Sequence, residues 1–174
     1  RGFPMNEQET ETKFAAGAPL VIITGLSGAG KSTAMRFLED LGCYCVDNLP
    51  PSLIPEFFIL YKNSNTGSAG VVIASDVRSG ALFEDFADTV ASLKELNVSF
   101  KILFLDCDTE TLMRRFKEVR RTHPLQGKKP ISDAIDEERT RLEPIKNLAD
   151  YVVDTSGLGA AGRPYPGDPQ PAEV

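Results

Sequence analysis

The stretch from Gly25 to Ser32 reads GLSGAGKS and constrains the fold of this chain more than any other feature. It satisfies G-x-x-x-x-G-K-[ST], the pattern of a loop whose backbone N–H groups cradle phosphates. The apolar run from Leu20 to Thr24 predicts a buried strand before it, and Met35, Leu38 and Leu41 predict one face of a helix after it. The sequence therefore predicts a phosphate-binding loop, or Walker A motif, between a strand and a helix.

Each part of the motif has a chemical reason. Glycines let the backbone turn so that successive amides point into one concavity, and the helix behind adds its positive end. Lys31 is predicted to reach the β- and γ-phosphates, and the Ser32 hydroxyl is predicted to bind Mg²⁺. The predicted nucleotide-binding residues of this segment are Gly25, Leu26, Ser27, Gly28, Ala29, Gly30, Lys31, Ser32 and Thr33.

Short apolar runs alternate with helical patterns along the chain. The predicted strands are Leu20–Thr24, Tyr44–Val46, Val71–Ser75, Ile102–Leu105 and Tyr151–Val153. The predicted helices are Lys31–Leu41, Pro51–Lys62, Leu82–Leu96, Thr109–Arg121 and Ser132–Leu148. Continuous apolar strands are typical of parallel sheets that are buried on both faces. The alternation predicts an α/β, three-layer P-loop NTPase fold with a mainly parallel five-stranded sheet, and a ligand site at the carboxyl ends of the strands.

Length and composition set the limits of this fold. The chain has 174 residues and a formal charge of −6, with no apolar run long enough to span a bilayer, so a cytoplasmic location is expected. Its three cysteines predict free buried thiols and no disulfide framework or zinc site. We expect a flexible arm over 1–18, a nucleotide-binding domain over 19–156 and a disordered Gly/Pro-rich tail over 157–174.

Acidic residues follow two of the predicted strands. Asp76 ends one, and Asp106 and Asp108 end another. A carboxylate beside the phosphate loop is needed to hold Mg²⁺, and Asp76 is favoured because Arg78 follows it and could reach a phosphate. Sequence alone leaves the strand order open. The second acidic pair has an alternative role in capping the helix that begins at Asp108 or Thr109.

Two further segments have alternative interpretations. The DNLPP stretch at 47–51 is either a turn into a helix or a substrate-facing loop. Residues 113–129 contain seven basic residues and one acid, which indicates a lid over the triphosphate or a surface for RNA phosphates. Arg120 and Arg121 are the lid candidates for catalysis, together with Lys31 and Asp76. The lone His123 is expected to be structural or exposed rather than catalytic.

Several of these segments together resemble one family. GLSGAGKS, CYCVDNLPPSLIPEF, SDVRS, LFLDCD, RRFKEVRRTHPL and EERTRLEPIKNLADYVVDTS resemble the N-terminal domain of the RapZ/YvcJ family, bacterial nucleotide-binding proteins that include an RNase adapter. The resemblance covers residues 20–156, and the core also looks like that of the nucleotide kinases. It implies binding and hydrolysis of ATP and GTP. By position, a second nucleotide-binding segment would comprise Asp76, Val77, Arg78 and Ser79, where the family usually has Asn in place of Ser79.

The resemblance also bears on partners. Family members carry a second, C-terminal domain after the VDTS strand, and in the adapter that domain holds the RNA-binding function. This chain has the Gly/Pro-rich tail there, so we expect it to be truncated or a fragment, and the resemblance alone does not imply the RNA-adapter role for it. Three functions stay open at this point: a slow regulatory ATPase/GTPase, a small-molecule or nucleotide kinase, and a non-catalytic module that bridges RNA or an enzyme.

Overall fold

The computed structural model describes residues 20–64, 67–75 and 80–158. The strands are β1 (Leu20–Gly25), β2 (Tyr44–Val46), β3 (Val71–Ala74), β4 (Phe100–Asp106) and β5 (Tyr151–Asp154). The helices are α1 (Lys31–Asp40), α2 (Ile54–Asn63), α3 (Gly80–Glu95), α4 (Thr109–Glu118) and α5 (Ile131–Leu148), and a 3₁₀ turn (Pro51–Leu53) precedes α2. The arm predicted over 1–18 and the tail from 159 onward lie outside the described residues, so these domain limits stay predictions.

The five strands form one parallel sheet in the order β2-β3-β1-β4-β5. This confirms the predicted α/β class. β1 lies at the centre and pairs with both β3 and β4. The β3 residues are all buried, as are the β1 residues except the half-buried Val21, because helices cover both faces of the sheet. The loop after β1 therefore starts from the middle of the carboxyl edge.

The outer strand β5 differs from the expectation of burial. Tyr151, Val152 and Val153 are 58%, 48% and 41% exposed. An edge strand has only one neighbouring strand, so an apolar run there does not guarantee burial. The apolar pattern correctly predicted a strand, but not its position at the edge of the sheet.

Helix α4 ends three residues before the predicted end at Arg121. Arg120 adopts a positive φ of 50°, and the Arg121 amide donates to the carbonyl of Phe116 at 3.2 Å. This is the hydrogen-bond pattern of a left-handed C-terminal cap, which closes a helix and turns the chain away. Both lid-candidate arginines consequently lie on the connection between α4 and α5.

The remaining composition-based expectations concern cysteines and membranes. Cys43, Cys45 and Cys107 are free, as predicted, and burial raises the pKa of each thiol. Cys45 is only half-buried. Among the residues that the structure describes, no helix combines the length and apolar character that a membrane span requires.

Candidate functional site

The phosphate loop leaves β1 where Gly25 is paired with Leu105 of β4. Gly25 has a φ of 138°, and a Cβ placed on it would lie 2.1 Å from the Leu105 carbonyl oxygen. The next amide, that of Leu26, donates to the same oxygen at 3.1 Å. Glycine is required here because no side chain fits between the two backbones. The loop is thereby attached to the central pair of strands.

Three loop amides are available for an external anion. The N–H groups of Gly28, Gly30 and Ser32 donate to no acceptor within the described part of the chain, whereas Ala29 N–H donates to Leu26 O at 3.1 Å. Gly30 precedes α1 with a φ of 101°, and a Cβ there would meet nothing within 4 Å. Unpaired amides at a helix N-terminus, beside open space, fit the negative oxygens of a phosphate group.

The two polar side chains of the motif lie at the start of α1. The Lys31 ammonium donates to the carbonyl oxygens of Gly25 at 2.7 Å and Leu26 at 3.0 Å, so its charge lies against the loop. Ser32 is exposed in the first turn of the same helix. A hard cation prefers oxygen ligands, and the Ser32 hydroxyl is accessible. Its role as a Mg²⁺ ligand stays a prediction.

The far side of the loop is held by α4 and by Thr155, the residue that follows β5. Arg115 Nη1 donates to Gly28 O at 3.0 Å, and Thr155 Oγ1 donates to Ala29 O at 2.8 Å. Arg115 also donates to the Thr155 carbonyl at 2.5 Å. In the sequence Arg115 is one of the seven basic residues of 113–129. In the structure its guanidinium donates to the carbonyls of Gly28 and Thr155. These contacts fix the carbonyls of Gly28 and Ala29 in place.

The second predicted segment, Asp76 to Ser79, lies outside the described residues. The residue before it is described: the Ser75 amide donates to Ile23 O at 2.9 Å, at the carboxyl end of β1. Strand β3 is thus a direct neighbour of the strand that carries the phosphate loop. The roles predicted for Asp76, Val77, Arg78 and Ser79 stay predictions.

The acids after β4 have structural partners. Asp106 accepts hydrogen bonds from Arg139 Nη1 at 2.7 Å and Lys146 Nζ at 2.8 Å, which fasten α5 to the end of β4. Asp108 caps α4 by accepting from the Thr111 amide at 2.7 Å. The capping alternative is therefore confirmed for Asp108.

The contacts of Asp106 predict how stability depends on pH. Burial acts to raise the pKa of Asp106, but hydrogen bonds from Lys146, the Cys107 amide and Arg139 outweigh it and lower the pKa. A lowered folded-state pKa stabilises the protein above the unfolded value, and this stabilisation is lost as the pH falls below about 4. Asp106→Asn should lower the free energy of unfolding at pH 7 by about 2 kcal/mol. Its stability should also depend less on pH in acid than that of the wild type.

Urea titrations at several pH values between 7 and 3 measure both effects. Asp88→Asn is the matched control, because Asp88 is exposed on α3. An Asp106→Asn protein as stable as the control variant would show that the two cations contribute nothing net.

The basic segment surrounds a surface concavity of about 510 Å³. Its lining contains four cationic side chains and no acidic one, and no phosphate-loop residue. The lining residues are Met113, Arg114, Phe116, Lys117, Arg120, Arg121, Thr122, Gln126 and Ile131. The lid role predicted for Arg120 and Arg121 is compatible with their place on a connection, and it stays a prediction.

A buried acid beneath the loop was missed from the sequence. Glu138 is fully buried and accepts from Ser27 N–H at 2.9 Å and Ser27 Oγ at 2.6 Å. His123, also buried, lies with Nε2 3.0 Å from the same carboxylate. The sequence does contain a pattern that indicates burial of Glu138, because this residue shares one face of α5 with the buried residues Ala134 and Leu142. An acid within an apolar stripe indicates a partner from elsewhere in the fold.

The DNLPP segment forms the turn that was one of its two interpretations. Asn48 has a φ of 56°, Leu49 N–H donates to Ala74 O at 3.2 Å, and the 3₁₀ turn follows at Pro51. Ser75 Oγ donates to Leu49 O at 3.1 Å, so the turn lies beside the carboxyl end of β3. Its position near that edge leaves the substrate-facing role as a prediction.

Solved structures with this architecture include a shikimate kinase and a tunicamycin resistance protein. Shikimate kinase from Acinetobacter baumannii has a TM-score of 0.54 at 19% identity, covering 87% of this chain and 90% of that one. The tunicamycin resistance protein of Deinococcus radiodurans has a TM-score of 0.57 at 16% identity, covering 83% and 90%. At these identities the likeness shows a shared fold alone.

Sequence comparison gives the family. A protein of Caldicellulosiruptor bescii described as a nucleotide-binding protein is 48% identical over 141 residues, which are 80% of this chain and 48% of that protein. This chain thus spans about half the length of the curated relatives that it matches. The family model described as the RapZ-like N-terminal domain matches residues 18–162. The phosphate loop, the parallel sheet and these matches show that the chain belongs to the RapZ-like N-terminal domain family.

Proposed function

We propose that this chain binds ATP and GTP with Mg²⁺ and hydrolyses them slowly, and that the bound nucleotide controls an interaction with a partner in the cytoplasm. The observation that carries the proposal is the set of unpaired amides of Gly28, Gly30 and Ser32 at the N-terminus of α1. The charge of Lys31 lies against the same loop. The relatives' description as nucleotide-binding proteins supports this ligand class.

The residues have separate roles in this proposal. The loop amides and Lys31 hold the phosphates, and the Ser32 hydroxyl holds Mg²⁺. Asp76 would complete the metal site or orient water. The hydrogen bond from Ser75 to the end of β1 supports that role, because Asp76 is the next residue along the chain. Mg²⁺ would neutralise charge on the phosphates, while this chain's amides orient them.

Calorimetry tests nucleotide binding directly. Titration of the chain with ATP and with GTP should give saturable heat, and Mg²⁺ should tighten binding of each. Release of inorganic phosphate from the same mixtures measures hydrolysis. No heat with either triphosphate at millimolar concentration, from protein with the expected circular dichroism, would refute the proposal. Heat without phosphate release would support nucleotide binding and refute the proposed hydrolysis.

A second candidate, an RNA- or enzyme-bridging module, is favoured by the basic concavity. Four cations line it without an acid among the lining residues, in a chain of net charge −6. Local clusters of this kind bind phosphate groups by releasing counterions, which makes affinity depend on salt.

This second candidate has its own test. Filter binding of a single-stranded RNA should weaken as salt rises, and the combined change Lys117→Ala with Arg121→Ala should reduce the salt slope by about 2. Arg36→Ala is the control because Arg36 is exposed on α1, away from the concavity. RNA affinity that does not change with salt, or that is equal in both variants, would exclude this use of the concavity.

A further inference from the structure

The carboxylate of Glu138 joins the phosphate loop to the connection that carries Arg120 and Arg121. Both of its oxygens are bonded to Ser27, Oε2 by the amide and Oε1 by the hydroxyl. Oε2 also lies 3.0 Å from His123 Nε2. The side chains of His123 and Glu138 are both fully buried. Ser27 is also buried, at 7% exposure.

The hydrogen-bond pattern defines how His123 is protonated on its two nitrogens. Leu125 N–H donates to His123 Nδ1 at 3.1 Å, so Nδ1 is an acceptor and carries no hydrogen. Nε2 then carries the ring hydrogen and donates it to Glu138. Glu138 therefore accepts from three donors, which is what a buried carboxylate needs to remain in place.

Each end of this network reaches a different part of the proposed site. Ser27 lies directly before Gly28, whose amide is one of the three available to an anion. His123 lies two residues after Arg121, and its ring packs edge-on against Phe116 with centroids 5.2 Å apart. A Cβ on Gly28 would lie 3.2 Å from the Phe116 ring, so that ring also lies next to the loop.

We propose that Glu138 is a positioning residue that couples the phosphate loop to the arginine-bearing connection, 119–130. Ser27 N–H donates to Glu138 and not to the anion site, so this bond orients the peptide between Leu26 and Ser27, which comes directly before the peptide that carries the Gly28 amide. A triphosphate that orders Gly28 should restrain Ser27, then Glu138 and His123, and so hold Arg120 and Arg121 in place. Buried hydrogen bonds transmit such restraint because they have few alternative arrangements.

This inference rests on the proposed nucleotide binding, and the single histidine provides a reporter for it. In protein labelled with ¹⁵N at histidine, the ring signals should show hydrogen on Nε2. Addition of ATP with Mg²⁺ should shift these signals, although His123 is buried away from solvent. Hydrogen exchange should slow at the amides of 119–130 in the same mixture.

The decisive variant is Glu138→Gln, with Asp136→Asn as the matched control. Asp136 lies on the same helix and is exposed. In Glu138→Gln, ATP should still bind with an affinity within about threefold of wild type, but it should no longer slow exchange over 119–130. If hydrolysis is measurable, kcat should fall by about tenfold or more while KM changes little, because the loop amides remain.

A milder variant protects the test against a failure to fold. Ser27→Ala removes the hydroxyl bond to Oε1 and keeps the amide bond to Oε2, so a smaller loss of nucleotide-dependent protection is expected. Thermal melts identify any variant that does not fold. If the Glu138→Gln protein is unfolded, the nucleotide-dependent protection of 119–130 in Ser27→Ala tests the coupling instead.

The outcomes separate the two proposals. No binding of ATP or GTP to wild type would remove the proposed function, and the coupling with it. Binding by wild type that leaves 119–130 and the histidine signals unchanged would refute the coupling alone. Full nucleotide-dependent protection in a folded Glu138→Gln protein would also refute it. Loss of stability without loss of protection would give Glu138 a structural role only.

Discussion

Lys31→Ala is expected to weaken binding of ATP and GTP by about 100-fold, since a charge-assisted hydrogen bond to phosphate contributes about 1.5–3 kcal/mol. Phosphate release should fall by a further 100-fold or so, because charge on the phosphates increases in the transition state. The Lys31 ammonium lies 2.7 Å from Gly25 O, at the start of the loop that is proposed to bind the phosphates. Calorimetry and phosphate release measure the two effects separately.

Lys62→Ala is the matched control for this loss of charge. Lys62 is exposed in the last turn of α2 and should leave both measurements unchanged. Lys31→Ala should also lower the free energy of unfolding by about 1–3 kcal/mol, because the two carbonyls bonded by Lys31 belong to the buried residues Gly25 and Leu26. Thermal melts identify whether the variant is folded. Equal turnover in Lys31→Ala and Lys62→Ala would rule out the phosphate loop as the source of any hydrolysis.

Gly25→Ala is expected to lower the free energy of unfolding by about 4 kcal/mol or more. The added Cβ would lie 2.1 Å from Leu105 O, a backbone atom of β4 that cannot rotate away. The β1–β4 pair would have to separate, although it forms the centre of the sheet. The positive φ of 138° adds strain for any residue with a side chain.

Urea unfolding of Gly25→Ala and of Gly42→Ala, measured side by side, separates the loss of stability caused by the steric clash from the loss caused by backbone strain. Gly42 also has a positive φ, of 84°, but a Cβ there meets nothing within 4 Å. Its substitution should cost only about 1 kcal/mol from backbone strain. A Gly25→Ala protein that unfolds at the same urea concentration as Gly42→Ala would contradict the close approach of the two strands.

Local patterns were sufficient for the strand–loop–helix unit and for the alternation of strands with helices. GLSGAGKS requires a particular backbone, and the apolar run before it and the helical face after it are visible within a few residues. The same reasoning predicted each strand to within three residues. It was wrong about burial of β5, because an apolar run does not show whether a second strand or a helix covers it.

Contacts between distant residues were not predictable in the same way. The helical pattern in the sequence predicted that α4 ends at Arg121. In the structure the helix ends at Glu118, because Arg120 adopts a left-handed conformation. Asp106 follows a strand as a metal ligand would, but two cations from α5 bind it. These outcomes depend on which element packs beside each residue, and no short pattern records that.

The amino-acid sequence by itself determined that an anion-binding loop joins the first strand to the first helix, because glycine spacing, Lys31 and the flanking apolar runs are all local. The tertiary structure alone decided that β1 is central, that Asp106 binds α5, and that Glu138 supports the loop. Ser27 and Glu138 are 111 positions apart and meet only after the sheet has formed. The physical reason is that a buried carboxylate is stabilised by the donors that folding brings to it, and those donors cannot be read from its neighbours in sequence.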